Sequence, residues 1–85
     1  MPVLSRFYGI VIRMFFVAPM TPHFHAIVGD AELMVGINPL RIIQGEAPLG
    51  VRRIILAWAQ RHQSELLDAW QRCESRQAPE KIAPF

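Results

Sequence analysis

"HFHAIVGDAELMVGI", residues 23–37, is the stretch on which the fold turns. Side chains of a strand point alternately to its two faces. Through residues 23–28 that rule puts Phe24, Ala26 and Val28 on one face and His23, His25 and Ile27 on the other. Through residues 32–37 it groups Leu33, Val35 and Ile37 against Glu32, Met34 and Gly36. Between them "GDA" (29–31) has the chemistry of a tight hairpin turn. Paired antiparallel, the two strands share one apolar face, and the histidines share the other with Glu32 and Met34. The alternation predicts that both imidazoles point away from the core and are at least partly exposed.

Upstream, "FYGIVIRMFFV" (7–17) is rich in β-branched and aromatic residues and reads as a strand. It is apolar on both faces, as a central or covered strand is, and Gly9 marks a bulge or a close approach. "APMTP" ends it, with Pro19 and Pro22 bracketing a turn. Downstream, "NPL" (38–40) is a turn, "RIIQ" (41–44) is a short fourth strand, and Gly45 closes it.

From Pro48, which suits the first turn of a helix, to Gln77 the pattern is helical. Val51, Ile54, Ile55 and Trp58 form one stripe; Leu66, Leu67, Trp70 and Cys73 form another, turned roughly 90° away. One straight helix cannot aim both at one core. The polar run "QRHQSE" (60–65) separates them, and Ser64 is a candidate cap. Two helices are expected, or one helix bent sharply near residues 61–64. Pro79 stops the helix, and a tail follows that Ile82 and Phe85 either dock or leave frayed. The sum is an α+β fold: an antiparallel meander of three to four strands, then two helices (or one sharply bent helix) packed on one face. Residues 1–85 read as a single domain, with the sheet in 7–44, the helical part in 48–77 and the tail in 78–85.

Of the 85 residues 52% are hydrophobic, and the mean hydropathy is +0.21. A chain this short buries only about 60–65% of the surface its unfolded state exposes. Either the core is dense, or an apolar patch is covered by a second chain. The net charge of +2 is small. The arginines (6, 13, 41, 52, 53, 61, 72 and 76) are spread along the chain, whereas phosphate-binding surfaces concentrate charge. The lone Cys73 excludes an intrachain disulfide and fits a reducing compartment. The apolar run around residues 8–20 carries Arg13 at its middle and falls short of the ~18–20 residues of a membrane span. It also lacks the features of a signal peptide. A soluble cytoplasmic protein without a membrane partner is expected.

"MPVLSRFYGIVIRMFF" followed by "PHFHAIVGDAEL" resembles the opening of the bacterial family known as domain of unknown function 4160. "GEAPLGVRRIILAWAQRHQSELLDAW" is similar to its helical half. The resemblance implies a short cytoplasmic protein, often encoded as one half of a two-gene, toxin–antitoxin-like module; some members carry a toxin label. It supplies no catalytic residue to carry over. Members commonly have "DH" where this chain has Ala18 and Pro19, an acidic residue where it has Ile27, and a carboxylate where it has Gly36. All three departures fall on or beside the histidine face.

His-x-His on a strand can offer zinc two ligands, but zinc wants three or four. Glu32 across the hairpin, or His62 if the helix folds over, would have to supply a third. Without a clear one, no metal and no cofactor are assigned. The same pair could cleave RNA without metal, one imidazole as base and the other as acid. His23 and His25 are thus the candidate catalytic residues. Arg13 and Arg41 would hold the phosphate, and Glu32 completes the binding set. The plain alternative is two solvated histidines and ordinary rim charges. Phe24, Trp58 and Trp70 read as packing residues, and Cys73 as a buried thiol. The sequence favours a protein that works by association, as a homodimer or with a small cognate partner. RNA cleavage by His23 and His25, or nucleic-acid binding by the arginines, are the alternatives.

Overall fold

The computed structural model of the chain describes residues 2–17 and 20–85. The expected turn at Ala18 and Pro19 lies outside the described residues. Five strands, β1 (Val3–Phe7), β2 (Ile10–Arg13), β3 (His23–Val28), β4 (Ala31–Ile37) and β5 (Leu40–Gln44), are followed by two helices, α1 (Leu49–Arg61) and α2 (Gln63–Glu74). The strands form one antiparallel sheet in the order β1-β2-β3-β4-β5. The class is α+β, with five strands rather than three or four.

The additional strand comes from the N-terminal stretch, where one strand was expected over residues 7–17. Tyr8 and Gly9 are instead the two central residues of a hairpin turn, at φ 50° and φ 75°. Two positive φ values in succession match the twist of the flanking strands, and Gly9 makes the second of them easy. β1 and β2 pair around that turn, Phe7 with Ile10 and Arg6 with Val11. Beyond Arg13 the regular strand ends, although the Met14 amide still donates to the Pro2 carbonyl at 3.2 Å. Phe15, Phe16 and Val17 then leave the sheet, and the alternation of β2 carried one step further keeps Phe15 on the face of Arg13, which lies opposite His25.

The central hairpin has the expected core face, but its turn is only Gly29 and Asp30, and Ala31 is already in β4, paired with Val28. Phe24 faces Val35 and Ala26 faces Leu33, while His25 faces Met34 and His23 faces Gly36. Phe24, Ala26, Leu33, Val35 and Ile37 are fully buried, with Ile10 and Ile12 of β2 beside them. Trp58 of α1 lies 5.9 Å from Phe24 and 5.1 Å from Phe7, ring centre to ring centre, and is itself fully buried.

The helical part breaks at His62 (φ −118°, ψ 25°). Its amide is shared between the Trp58 and Ala59 carbonyls at 3.2 Å each, and its own carbonyl accepts from the Leu66 amide at 2.9 Å. Ser64 is therefore not the cap; it lies inside the first turn of α2. Pro48 stands just before α1 rather than in its first turn, its carbonyl accepting from the Arg52 amide. Gln63 Nε2 donates to the Ile37 carbonyl at 2.8 Å and ties the start of α2 to the end of β4. The break lets both stripes face inward, so Trp58 and Trp70 are both buried. Cys73 is half-buried, and burial pushes its thiol pKa up from the ordinary value.

The tail docks. The Ile82 amide donates to the Leu4 carbonyl of β1 at 2.8 Å, and the Ile82 side chain is buried. The Trp58 indole N–H donates to the Ala83 carbonyl at 2.9 Å, and Phe85 packs against Phe7 and Tyr8. No helix among the described residues is long and apolar enough to cross a membrane.

Candidate functional site

Alternation along β3 places His23 and His25 on the same face, with ring centres 5.3 Å apart. The expectation that they are exposed fails: His23 is 1% exposed and His25 6%. The cover comes from outside the hairpin. Phe15, just past β2, stacks flat on His25 (4.9 Å, 14°) and meets His23 edge-on. Trp70 of α2 lies 5.0 Å from His23. The direction of the side chains was legible from the period of two. What lies over them depends on how residues 14–17 and α2 fold across the hairpin, which the alternation within β3 does not see.

Each ring is held at Nδ1. His23 Nδ1 lies 2.9 Å from the Thr21 carbonyl oxygen, and His25 Nδ1 lies 3.0 Å from Glu32 Oε2. A carbonyl or carboxylate oxygen only accepts, so both Nδ1 atoms carry the hydrogen and donate it. In the neutral rings the lone pair is then at Nε2. Both Nε2 atoms are buried and without a hydrogen-bond partner among the described residues. Glu32 reaches His25 diagonally, since its directly paired residue is Ile27. Its side chain is 56% exposed, so the hydrogen bond to His25 is reached by solvent from the carboxylate side.

The other expected residues are arranged around this centre to different extents. Arg13 is half-buried and directly opposite His25 in the register of β2 and β3. Arg41 is exposed, and it pairs with Gly36, which pairs with His23. Two strand spacings, about 10 Å, therefore separate the Arg41 and His23 backbones. His62 is not brought to the pair: it lies at the helix break, with Nδ1 2.7 Å from Glu65 Oε1 and its ring beside Trp58. Among the described residues no group of three or more His, Cys, Asp and Glu side chains converges as a metal site would require.

Gly36 carries a specific constraint. A Cβ there would lie 3.2 Å from Ile43 Cδ1 and 3.3 Å from the Pro39 carbonyl oxygen. The register shifts between Met34 and Val35 opposite this part of β5, and Ile43 leans over the glycine. A larger side chain at position 36 would require Ile43 to move. Beside the histidines, His25, Glu32, Met34, Gln44 and Gly45 line a shallow pocket.

The model of the domain of unknown function DUF4160 matches residues 9–71. The chain belongs to this family. The matched span includes β2 to β5, all of α1 and most of α2, and with them His23, His25, Glu32, Phe15 and Trp70. It leaves out β1 and the tail that docks on it. No curated protein and no solved structure matches the chain.

Proposed function

We propose that this DUF4160 protein acts by binding a small cognate protein chain, as one component of a toxin–antitoxin-like module in the bacterial cytoplasm. The observation that carries this reading is the difference between the two edges of the sheet. At β1 the edge is occupied by the chain's own tail, through the Ile82–Leu4 backbone bond. Pro79 and Pro84 flank that contact and have no N–H with which to extend pairing. At β5 the sheet has β4 on one side and, among the described residues, no strand on the other. An open edge is a template for strand addition by another chain. Ile43 on that strand is 43% exposed, and Leu49 at the start of α1 is 51% exposed. Apolar groups beside an open backbone edge supply the side-chain pockets that such pairing uses.

The test is co-expression with the product of the adjacent reading frame, followed by light scattering on the purified material. A stoichiometric complex is expected, lost in Ile43→Lys and retained in Arg6→Ala on the opposite edge. A complex indifferent to Ile43→Lys would take β5 out of the interface. A chain that stays monomeric alone and with its neighbour would remove the association reading.

RNA cleavage by His23 and His25 has one observation in its favour, the His25–Glu32 pair, which orients an imidazole as a general base is oriented. Against it stands the burial of both Nε2 atoms beneath Phe15 and Trp70. A phosphodiester must come within hydrogen-bond reach of those atoms for the acid–base step.

A further inference from the structure

His23 and His25 are anchored in the way metal-bound histidines are anchored. A ligating imidazole donates its outer N–H to a carboxylate or a backbone carbonyl, which fixes the tautomer and aims the other nitrogen. Here His23 Nδ1 donates to the Thr21 carbonyl and His25 Nδ1 to the Glu32 carboxylate. The two Nε2 lone pairs are left buried and without a donor. Buried polar atoms are satisfied in the great majority of proteins, and an orphan calls for an explanation. Two orphans on neighbouring rings call for one shared explanation. The ring centres are 5.3 Å apart. Two imidazoles bound through Nε2 to one ion at a trigonal angle, with metal–nitrogen bonds of ~2.0 Å, have centres at about that separation.

We propose that His23 and His25 bind one late first-row transition-metal ion through their two Nε2 atoms, and that the ion is Cu⁺. Zinc sites take three or four protein ligands, and no third His, Cys, Asp or Glu converges on the pair among the described residues. Monovalent copper is satisfied by two imidazole nitrogens and accepts thioether sulfur as a soft third donor. Met34 stands directly across from His25 on the same face of the sheet. Phe15 and Trp70 form an aromatic shell over the rings, and such a shell limits solvent access and so controls redox behaviour. This inference is independent of the association reading, because it uses neither β5 nor its exposed residues.

The test is anaerobic titration of the full chain with Cu⁺ against a chromogenic chelator, and separately with Zn²⁺. One Cu⁺ per chain is expected, bound more tightly than Zn²⁺. His23→Asn and His25→Asn keep an N–H near the Nδ1 position and remove Nε2. Each should weaken Cu⁺ binding by at least ~100-fold, and Glu32→Gln by about 10- to 100-fold. Nitrogen NMR of the wild-type imidazoles gives a readout that does not depend on the variants folding: Cu⁺ should move both Nε2 resonances and leave both Nδ1 protons in place. Absence of Cu⁺ binding with unmoved Nε2 resonances would overturn the proposal, as would binding that survives both Asn variants. Tighter Zn²⁺ than Cu⁺ binding would overturn the assignment of the ion.

Discussion

Replacing Gly45 with alanine should damage this protein more than any other glycine-to-alanine change in it, and the size of the effect can be worked out. Gly45 has φ +98°, outside the regions an L side chain favours. Holding alanine in such a conformation costs about 1–3 kcal/mol. The added Cβ would also overlap the Glu32 carbonyl oxygen and press on Leu33 Cα and Cδ2 at 3.1 Å each. Two of those three atoms are backbone of β4, which cannot swing aside as a side-chain tip can. Overpacking of this kind adds about 1–3 kcal/mol. The sum, about 2–6 kcal/mol, is a large share of the ~4–13 kcal/mol expected for a domain of this length. Two internal controls separate the terms. Gly9 has φ +75° but nothing within 4 Å of its Cβ position, so Gly9→Ala should cost only the backbone term, about 1–2 kcal/mol. Gly50 lies in the first turn of α1 with open space around it, so Gly50→Ala should be neutral or stabilising by up to ~1 kcal/mol. Urea unfolding followed by circular dichroism orders the three variants. A Gly45→Ala protein no less stable than Gly9→Ala would show that the close approach of β4 does not exist in solution.

Two further outcomes concern the tail and the thiol. Ile82→Ala should destabilise the protein by about 2–4 kcal/mol, as large-to-small changes at buried sites do, although only three of the 85 residues follow it; a loss below about 0.5 kcal/mol in urea would mean that the tail is undocked. Cys73 has its thiol pKa raised by burial, so the folded state favours the protonated form. Its contribution to stability is complete below the ordinary thiol range and is lost as pH rises through the raised value. The stability of wild type relative to Cys73→Ala should therefore fall from about pH 8.5 upward, and parallel curves would refute that burial effect.

Period-two alternation was enough to read the β3–β4 hairpin and the identity of its core face, although the turn is one residue shorter than expected. The two diverging helical stripes were enough to require a break near residues 61–64, and the break is at His62. Three features escaped. The Tyr8–Gly9 turn was hidden because tyrosine at positive φ is rare, although the glycine beside it marks the place. β1 was missed with it, since the sheet was expected to begin at residue 7 and "VLSRF" lies almost wholly before that. The covering of the histidines was invisible because it joins Phe15, His23 and Trp70, which are far apart in sequence. One clue was present: "MFFV" (14–17) carries four large apolar residues in succession, and an alternating strand sends two of them to each face. Glu32, named for its place across the hairpin, reaches His25 at Nδ1. Arg41, named without a face, lies on the histidine face two strands from His23.

The docked tail also limits how copies of this chain could stack on one another. Growth of a continuous sheet from chain to chain needs a donor edge and an acceptor edge on every molecule. Here one of the two is already occupied from within, by Ile82 against Leu4. Under the proposed pairing through β5, two molecules would join and go no further, each using on the other the edge that no other described strand covers. A protein of 85 residues with 52% hydrophobic content carries an evident hazard of polymerising into fibres. The eleven residues that follow α2 would be enough to turn an open-ended assembly of that kind into a closed one.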